Sequence, residues 1–367
     1  MNQRSVLLAL QEIKGVGWKT ILRLAATLES LAELLHMDGK TIADLGIPQD
    51  KAEAIAAGLR TLTETGKGID EREIMYRNRG IIPVTIYDEA YPERLRESSQ
   101  PPWVLYAIGK VDLLVSPSVA IVGTRTPTVY GRKVSEDLGR ALSRAGCCVV
   151  SGLARGIDAA AHEGALTGPG GTVAVKGGGP DRIYPAENTA LYRAIAQKGL
   201  IVSEFPPGTA AVPGMFPLRN RIIAGLTLGT VVVEAAVKSG SLITADQALD
   251  ESRDVFAIPG PITSPKSGGT HHLLKQGAKL VTEPGDILRE YQILFPDFTD
   301  SLFEQEKESN LTAEEEEILR FLSHEPVSID RLLSETRTNF GHLHNILLHL
   351  VLKKRIKAMP GAAYVKI

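Results

Sequence analysis

Val119-Ala120-Ile121-Val122-Gly123-Thr124-Arg125 sets the pattern from which the fold can be read: a short β-branched run, uninterrupted by polar residues, that stops at a glycine and leads into a helical stretch. The same arrangement recurs along the middle of the chain. Strand-like runs fall at 119–123, 148–151, 172–175, 200–203, 230–233, 255–258 and 279–281. Helical periodicity separates them at 131–145, 158–166, 188–197, 219–226, 242–251 and 273–275. Strands alternating with helices predict a parallel, doubly wound α/β sheet covered on both faces. Ligands of such sheets bind beyond the carboxyl ends of the strands, where strand order reverses. The residues after each strand are therefore the ones to inspect.

Outward from this centre the patterning changes. Helical spacing over 5–62, broken at Gly15, Gly17, Gly39, Gly46 and Pro48, predicts a small all-α domain over 1–66. The core with its N-terminal extension is expected over 67–292, including extended runs at 81–86 and 103–108. An acidic linker with Glu304, Glu306 and Glu308 is expected over 293–310. A last unit over 311–367 reads as a winged helix: a capped helix after Thr312, a second near 329–334, a third over 340–354 and a hairpin around Pro360-Gly361.

With 367 residues, 43% of them hydrophobic, the chain can bury a large core. No apolar run approaches the ~20 residues of a membrane helix, and Met1-Asn2-Gln3-Arg4 lacks a secretory pattern, so a cytoplasmic protein without membrane insertion is expected. Cys147 and Cys148 are adjacent in a strand-like run, where side chains point to opposite faces, so no disulfide is expected between them. A formal net charge of −2 gives no global attraction to a polyanion. Any nucleic-acid site must concentrate its positive charge locally.

Four post-strand segments carry candidate chemistry. Gly123-Thr124-Arg125 offers close backbone approach, a hydroxyl and a planar donor fork, but not the G-x-G-x-x-G spacing of dinucleotide binders. Lys176-Gly177-Gly178-Gly179 is a possible anion nest or a plain flexible loop. In Phe216-Pro217-Leu218-Arg219-Asn220-Arg221, Pro217 marks a helix start and Arg219, Asn220 and Arg221 are placed in its first turn. Helix N-termini favour acidic residues, so two arginines there point to an anionic ligand. Phe216 is either a stacking face for a base or a hydrophobic staple. Ser239-Gly240-Ser241 opens a second helix with bare amides and capping hydroxyls. Asp158 and His162, four apart on a helix, are expected to pair and hold the turn after 148–151.

Taken together and in this order, Gly123-Thr124-Arg125, the stretch from Ser151 to His162, Tyr184-Pro185 with Asn188, Phe216 to Leu226, Val231 to Ala245 and Val255 to Gly260 resemble the DprA (Smf) DNA-processing family. The resemblance implies a Rossmann-like core that dimerises, binds single-stranded DNA in a positive pocket and loads the RecA recombinase during natural transformation, without catalysis. It places the binding residues at Gly123, Thr124, Arg125, Arg219, Asn220, Arg221, Ser239, Gly240 and Ser241, to which Lys176 and Phe216 are added from their own chemistry. Three departures stand out: Thr124 where serine is usual, Lys176 with Gly177 to Gly179 in place of a less glycine-rich turn, and Ser252 where glycine usually precedes Arg253.

The flanks agree with this reading. Residues 13–20, Ile13-Lys14-Gly15-Val16-Gly17-Trp18-Lys19-Thr20, look like a helix-hairpin-helix (SAM-like) turn whose amides can hold a phosphate. The third helix of the winged-helix-like end is expected to offer Lys353, Lys354, Arg355 and Lys357 near its end. His342 and His344, two apart, cannot share a helix face, His349 adds no third ligand, and His271-His272 reads as surface; no metal or cofactor is expected. The enzyme alternative is a nucleotide-binding phosphoribohydrolase-like activity that would use Glu204 or Glu234 at strand ends. A further alternative is a duplex-reading repressor acting through the C-terminal unit.

Overall fold

The computed structural model describes residues 3–64, 69–295, 312–323, 326–336, 338–352, 355–359 and 361–366. The boundary expected at 66/67, most of the acidic linker with Glu304, Glu306 and Glu308, and Leu311, Lys353, Lys354 and Pro360 lie outside them. Two compact units result, 1–295 and 296–367.

In the first unit, β1 (Ile82–Thr85) and β2 (Val104–Gly109) form an antiparallel pair at one margin of a nine-stranded sheet. β3 (Ser118–Val122), β4 (Cys148–Ser151), β5 (Thr172–Val175) and β6 (Leu200–Ser203) follow in parallel, with β2 antiparallel to β6. The chain then returns to the other side of β3 for β7 (Gly229–Val232), β8 (Asp254–Ala257) and β9 (Lys279–Leu280), again parallel. The order β1-β2-β6-β5-β4-β3-β7-β8-β9 reverses between β3 and β7, so a crevice opens at their carboxyl ends. All seven strand-like runs of the central pattern are strands, each within a residue of its expected bounds.

Each helical interval of the central pattern holds a helix, and two short helices, Glu93–Arg96 and Gly285–Leu288, fall where none was expected. α1 (Gln3–Leu10), α2 (Trp18–Thr27), α3 (Gly39–Asp44) and α4 (Gln49–Glu64) make the helical domain, and α5 (Ile69–Asn78) and α6 (Glu93–Arg96) flank β1. The helical domain does not keep its core to itself. Val6, Leu10, Ile21 and Ile55 share one apolar cluster with Trp103, Val104 and Tyr106 of the sheet margin. Trp18 Nε1 donates to the Pro101 carbonyl (2.7 Å), Trp103 Nε1 donates to the Trp18 carbonyl (3.2 Å), and the two rings lie 6.4 Å apart. Each large side chain buried there contributes about 1.5–3 kcal/mol.

α7 (Val129–Arg144), α8 (Ile157–Ala165), α9 (Thr189–Lys198), α10 (Met215–Leu226), α11 (Gly240–Asp250), α12 (Gly268–Lys275) and α13 (Gly285–Leu288) complete the unit. Ser252 adopts the left-handed conformation (φ +56°) that glycine enters freely, so the departure leaves such a turn in place. Cys147 and Cys148 are both free and buried. In the second unit, α14 (Ala313–Arg320), β10 (Val327–Ser328), α15 (Ile329–Thr336), α16 (Phe340–Leu352), β11 (Ile356–Met359) and β12 (Ala363–Lys366) form a three-stranded sheet of order β10-β12-β11 beside three helices. That is a winged-helix arrangement. Thr312 and Glu315 close a reciprocal cap on α14. Lys357 sits on a wing strand rather than on the third helix.

Among the described residues no helix is long and apolar enough to cross a membrane, and no group of His, Cys, Asp and Glu is placed to hold a metal.

Helices α7 and α8 approach so closely that a Cβ at Gly164 would run into the Glu136 carbonyl. Gly164→Ala is therefore expected to destabilise the chain by about 1–3 kcal/mol in urea melts. At an uncrowded helical position the same change would stabilise by roughly 0.5–1 kcal/mol, so the sign alone decides.

Candidate nucleic-acid interface

The crevice is built on a buried guanidinium. Arg219 is only 5% exposed. Its Nη1 donates to the carbonyls of Gly152 (2.7 Å), after β4, and of Val175, the last residue of β5. Its Nε donates to Asn220 Oδ1 at 3.2 Å. Burial lowers its pKa to about 10, the nearby Asp158 carboxylate opposing and Arg125 adding to the shift. Asp158 in turn accepts the amides of Gly152 (3.1 Å) and Ala154 (3.3 Å), closing the β4–α8 turn. Burial raises its pKa against the pull of Arg219 and those amides.

The expected pairing of Asp158 with His162 is not formed. His162 Nδ1 lies 2.7 Å from Thr172 Oγ1, whose own hydrogen goes to the Val149 carbonyl (2.6 Å). Nδ1 therefore carries the proton, leaving Nε2 buried without a partner. Burial drops the imidazole pKa to about 3.

Glu234, at the end of the β7 run, also braces. Its carboxylate accepts the Thr128 amide (2.9 Å) and hydroxyl (2.5 Å), and its carbonyl accepts the Thr124 amide (2.8 Å). These bonds fix the Gly123–Thr128 loop and leave Arg125 exposed. The Arg125 guanidinium carbon sits 5.6 Å from the Phe216 ring centroid, within cation–π range. Phe216 packs in turn on Tyr184, centroids 5.6 Å apart. Opposite, Ser239 caps α11, with its hydroxyl 2.8 Å from that of Ser241, and around Gly240 there is open space.

One cavity of about 610 Å³ gathers Gly123, Thr124, Arg125, Phe216, Arg219, Asn220, Ser239, Gly240 and Ser241 along its lining. A second, of about 320 Å³, adjoins it and shares Arg125, Tyr184, Phe216 and Arg219. The second adds Arg155, Lys176, Gly177 and Arg182.

Three placements differ from the sequence reading. Helix α10 begins at Met215, so Arg219 and Arg221 fall in its second turn rather than its first. Arg221 lines neither cavity; it forms an ion pair with Glu204, the residue after β6, both side chains about 15% exposed. Lys176 is 4% exposed and spends its ammonium on the Tyr184 carbonyl (2.7 Å), so it is not presented as a free cation. Tyr184, Arg155 and Arg182 were missed as site residues. Their signal was an aromatic and two arginines flanking glycine-rich post-strand loops, visible only once those loops are known to converge.

A family model described as DNA recombination-mediator protein A matches residues 83–292. The chain belongs to the DprA (Smf) family. Models described as the DprA winged helix domain and as a SAM-like helix-hairpin-helix tandem match residues 304–362 and 7–61. Protein Smf of Escherichia coli (strain K12) is 34% identical over 371 residues, covering 100% of this chain and 96% of its own length. The X-ray structure of DNA processing protein A from Streptococcus pneumoniae superposes with TM-score 0.67 at 36% identity, covering 78% of this chain and 97% of that one. A structure of DNA processing protein A from Helicobacter pylori, reported for a unique single-stranded DNA binding mode, matches with TM-score 0.53 at 32% identity, covering 58% of this chain and 97% of that one. The DprA assignment thus spans core and both flanks.

Removing the buried guanidinium strands two carbonyls and the Asp158 carboxylate, so Arg219→Ala is expected to cost roughly 2–4 kcal/mol in denaturant melts. His162 binds its proton in the folded state only near pH 3 but in the unfolded chain near pH 6.5. Stability should therefore fall as pH drops below about 6.5, approaching 1.4 kcal/mol per unit. The His162→Gln melt should lose that component; a wild-type slope in this variant would assign the acid loss elsewhere.

Proposed function

We propose that this DprA-family chain binds single-stranded DNA in the paired cavities, without turning it over, and hands the strand to a RecA-type recombinase. The observation that carries the reading is the exposed Arg125 guanidinium, which makes no ion pair among the described residues, placed over the Phe216 ring across from the Ser239-capped start of α11. A guanidinium and the open backbone surface at Gly240 suit phosphates; Phe216 and Tyr184 suit unpaired bases, which stack without regard to sequence. A duplex would hide those bases. Arg125 and Arg182 make no ion pair among the described residues and place positive charge here, as a chain of net charge −2 requires, while the charge of Arg155 is offset by Glu187. The Helicobacter pylori relative, described by its single-stranded DNA binding mode, supports the same ligand.

The hydrolase alternative finds no support in the site. Glu204 is held by Arg221 and Glu234 by Thr128, and neither lines a cavity. Among the described residues, Asp158 is the only carboxylate on either lining, and it is buried and committed to two amides. Homodimerisation, recombinase loading and a role in transformation belong to this proposal through the family, and light scattering and filament-assembly kinetics test the first two.

In fluorescence anisotropy the protein should prefer an oligothymidylate to the corresponding duplex, and affinity should fall with salt. Arg125→Ala should make the log–log salt slope shallower by about 0.7, the value for one phosphate contact on a single strand. Phe216→Ala should weaken binding by about 1–3 kcal/mol with the slope unchanged. Equal affinity for duplex, or release of free base from nucleoside monophosphates, would overturn the reading.

A further inference from the structure

The lining of the smaller cavity includes a cation committed to the protein's own backbone. Lys176 lies just past β5 and points its ammonium at the Tyr184 carbonyl 2.7 Å away. The ammonium also stands 5.8 Å from the Tyr192 ring centroid on α9, and Tyr192 is itself anchored through its hydroxyl to the Pro180 carbonyl (2.6 Å).

The segment bearing Tyr184 is tied at both ends. At one end Asp181 accepts from Arg79 (2.7 Å) and from the Gly208 amide (2.7 Å), and Arg182 Nε donates to the Gly208 carbonyl (3.1 Å). At the other, Asn188 Nδ2 donates to the Leu153 carbonyl (3.0 Å), and Glu187 makes an exposed pair with Arg155. The backbone at Tyr184 itself is tied by Lys176. Its ring, 48% exposed, is the outer half of the aromatic wall completed by Phe216.

We propose that Lys176 is a positioning residue: by gripping the Tyr184 carbonyl it holds that ring against Phe216, keeping the stacking wall assembled without touching the strand. The inference rests on the single-strand reading of these cavities. The groups facing the ammonium are Tyr192 on α9 and Arg219 on α10, and no carboxylate pairs with it among the described residues. Burial, with Arg219 adding, brings its pKa down to about 8. The charge-assisted grip is therefore present below pH 8 and weakens as pH rises through that value, well before an unburied lysine would titrate.

The test uses the full chain and a fluorescein-labelled oligothymidylate, with wild type, Lys176→Met, Tyr184→Ala and the double variant compared across salt at pH 7 and pH 9. Hydrogen exchange of residues 180–188 is followed without DNA. Lys176→Met exchanges a buried charge for an apolar chain of similar length, and thermal melts establish that it folds. Expected is about a tenfold loss of affinity at pH 7, an unchanged salt slope, faster exchange across 180–188, and little further loss when the substitution is added to Tyr184→Ala. Wild type should approach the Lys176→Met affinity at pH 9. A slope shallower by about 0.7 in Lys176→Met would mean a direct phosphate contact and overturn the proposal. So would additive losses in the double variant, or equal exchange in wild type and Lys176→Met. Faster exchange in Lys176→Met combined with no strand binding by wild type would uphold the grip on Tyr184 and sink the single-strand reading alone.

Discussion

A buried arginine holds the rim of the sheet in register with the helix that crosses it. Arg219 reaches from α10 to the carbonyls that end β4 and β5, groups that would otherwise point into the crevice with nothing to accept from. Because α10 is pinned at this point, Phe216, three residues earlier in the helix, is delivered to the junction of the two cavities. The same guanidinium lowers the cost of burying Asp158, which shapes the β4–α8 turn. Loop, helix and cavity wall thus depend on one desolvated charge that donates to two backbone carbonyls and to the Asn220 side chain.

Around that anchor the chain divides its polar residues between bracing and display. Glu234, Asp158 and Glu204 each face inward and accept from backbone or arginine, and this shapes loops rather than performing chemistry. Arg125, Arg155 and Arg182 remain on exposed loops. Glu234, Asp158 and Glu204 are thus engaged in bracing the scaffold; at the mouth Arg125 and Arg182 make no ion pair among the described residues, and Arg155 pairs with Glu187.

The helical domain is coupled to this scaffold through a shared core. Trp18, next to the glycine turn between α1 and α2, exchanges hydrogen bonds with the segment leading into β2, and β2 pairs with β6. Separating the two would expose Trp103 and Tyr106 together with the faces of α1 and α4. The winged-helix unit has its own core of Leu332, Leu343, Leu347 and Leu350.

Much of this was legible in the residues alone. Continuous β-branched runs between helical intervals can satisfy their burial only in a parallel sheet with two covered faces, so strand positions, the crevice rim and the convergence of Gly123, Arg125, Phe216 and Ser239 follow from local pattern plus the topology rule. Direction of exposure does not. Arg219 and Arg221 are two residues apart on one helix, about 200° around its axis, and both looked like phosphate ligands. Only the packed structure turns one under the sheet rim and the other toward Glu204. Lys176 and His162 fared likewise, since whether a titratable side chain meets solvent, a carbonyl or nothing depends on neighbours distant in sequence. Composition and periodicity determined which elements form and in what order; tertiary packing decided which charges stay free to meet a ligand, because desolvation is a property of the assembled interior rather than of any local stretch of chain.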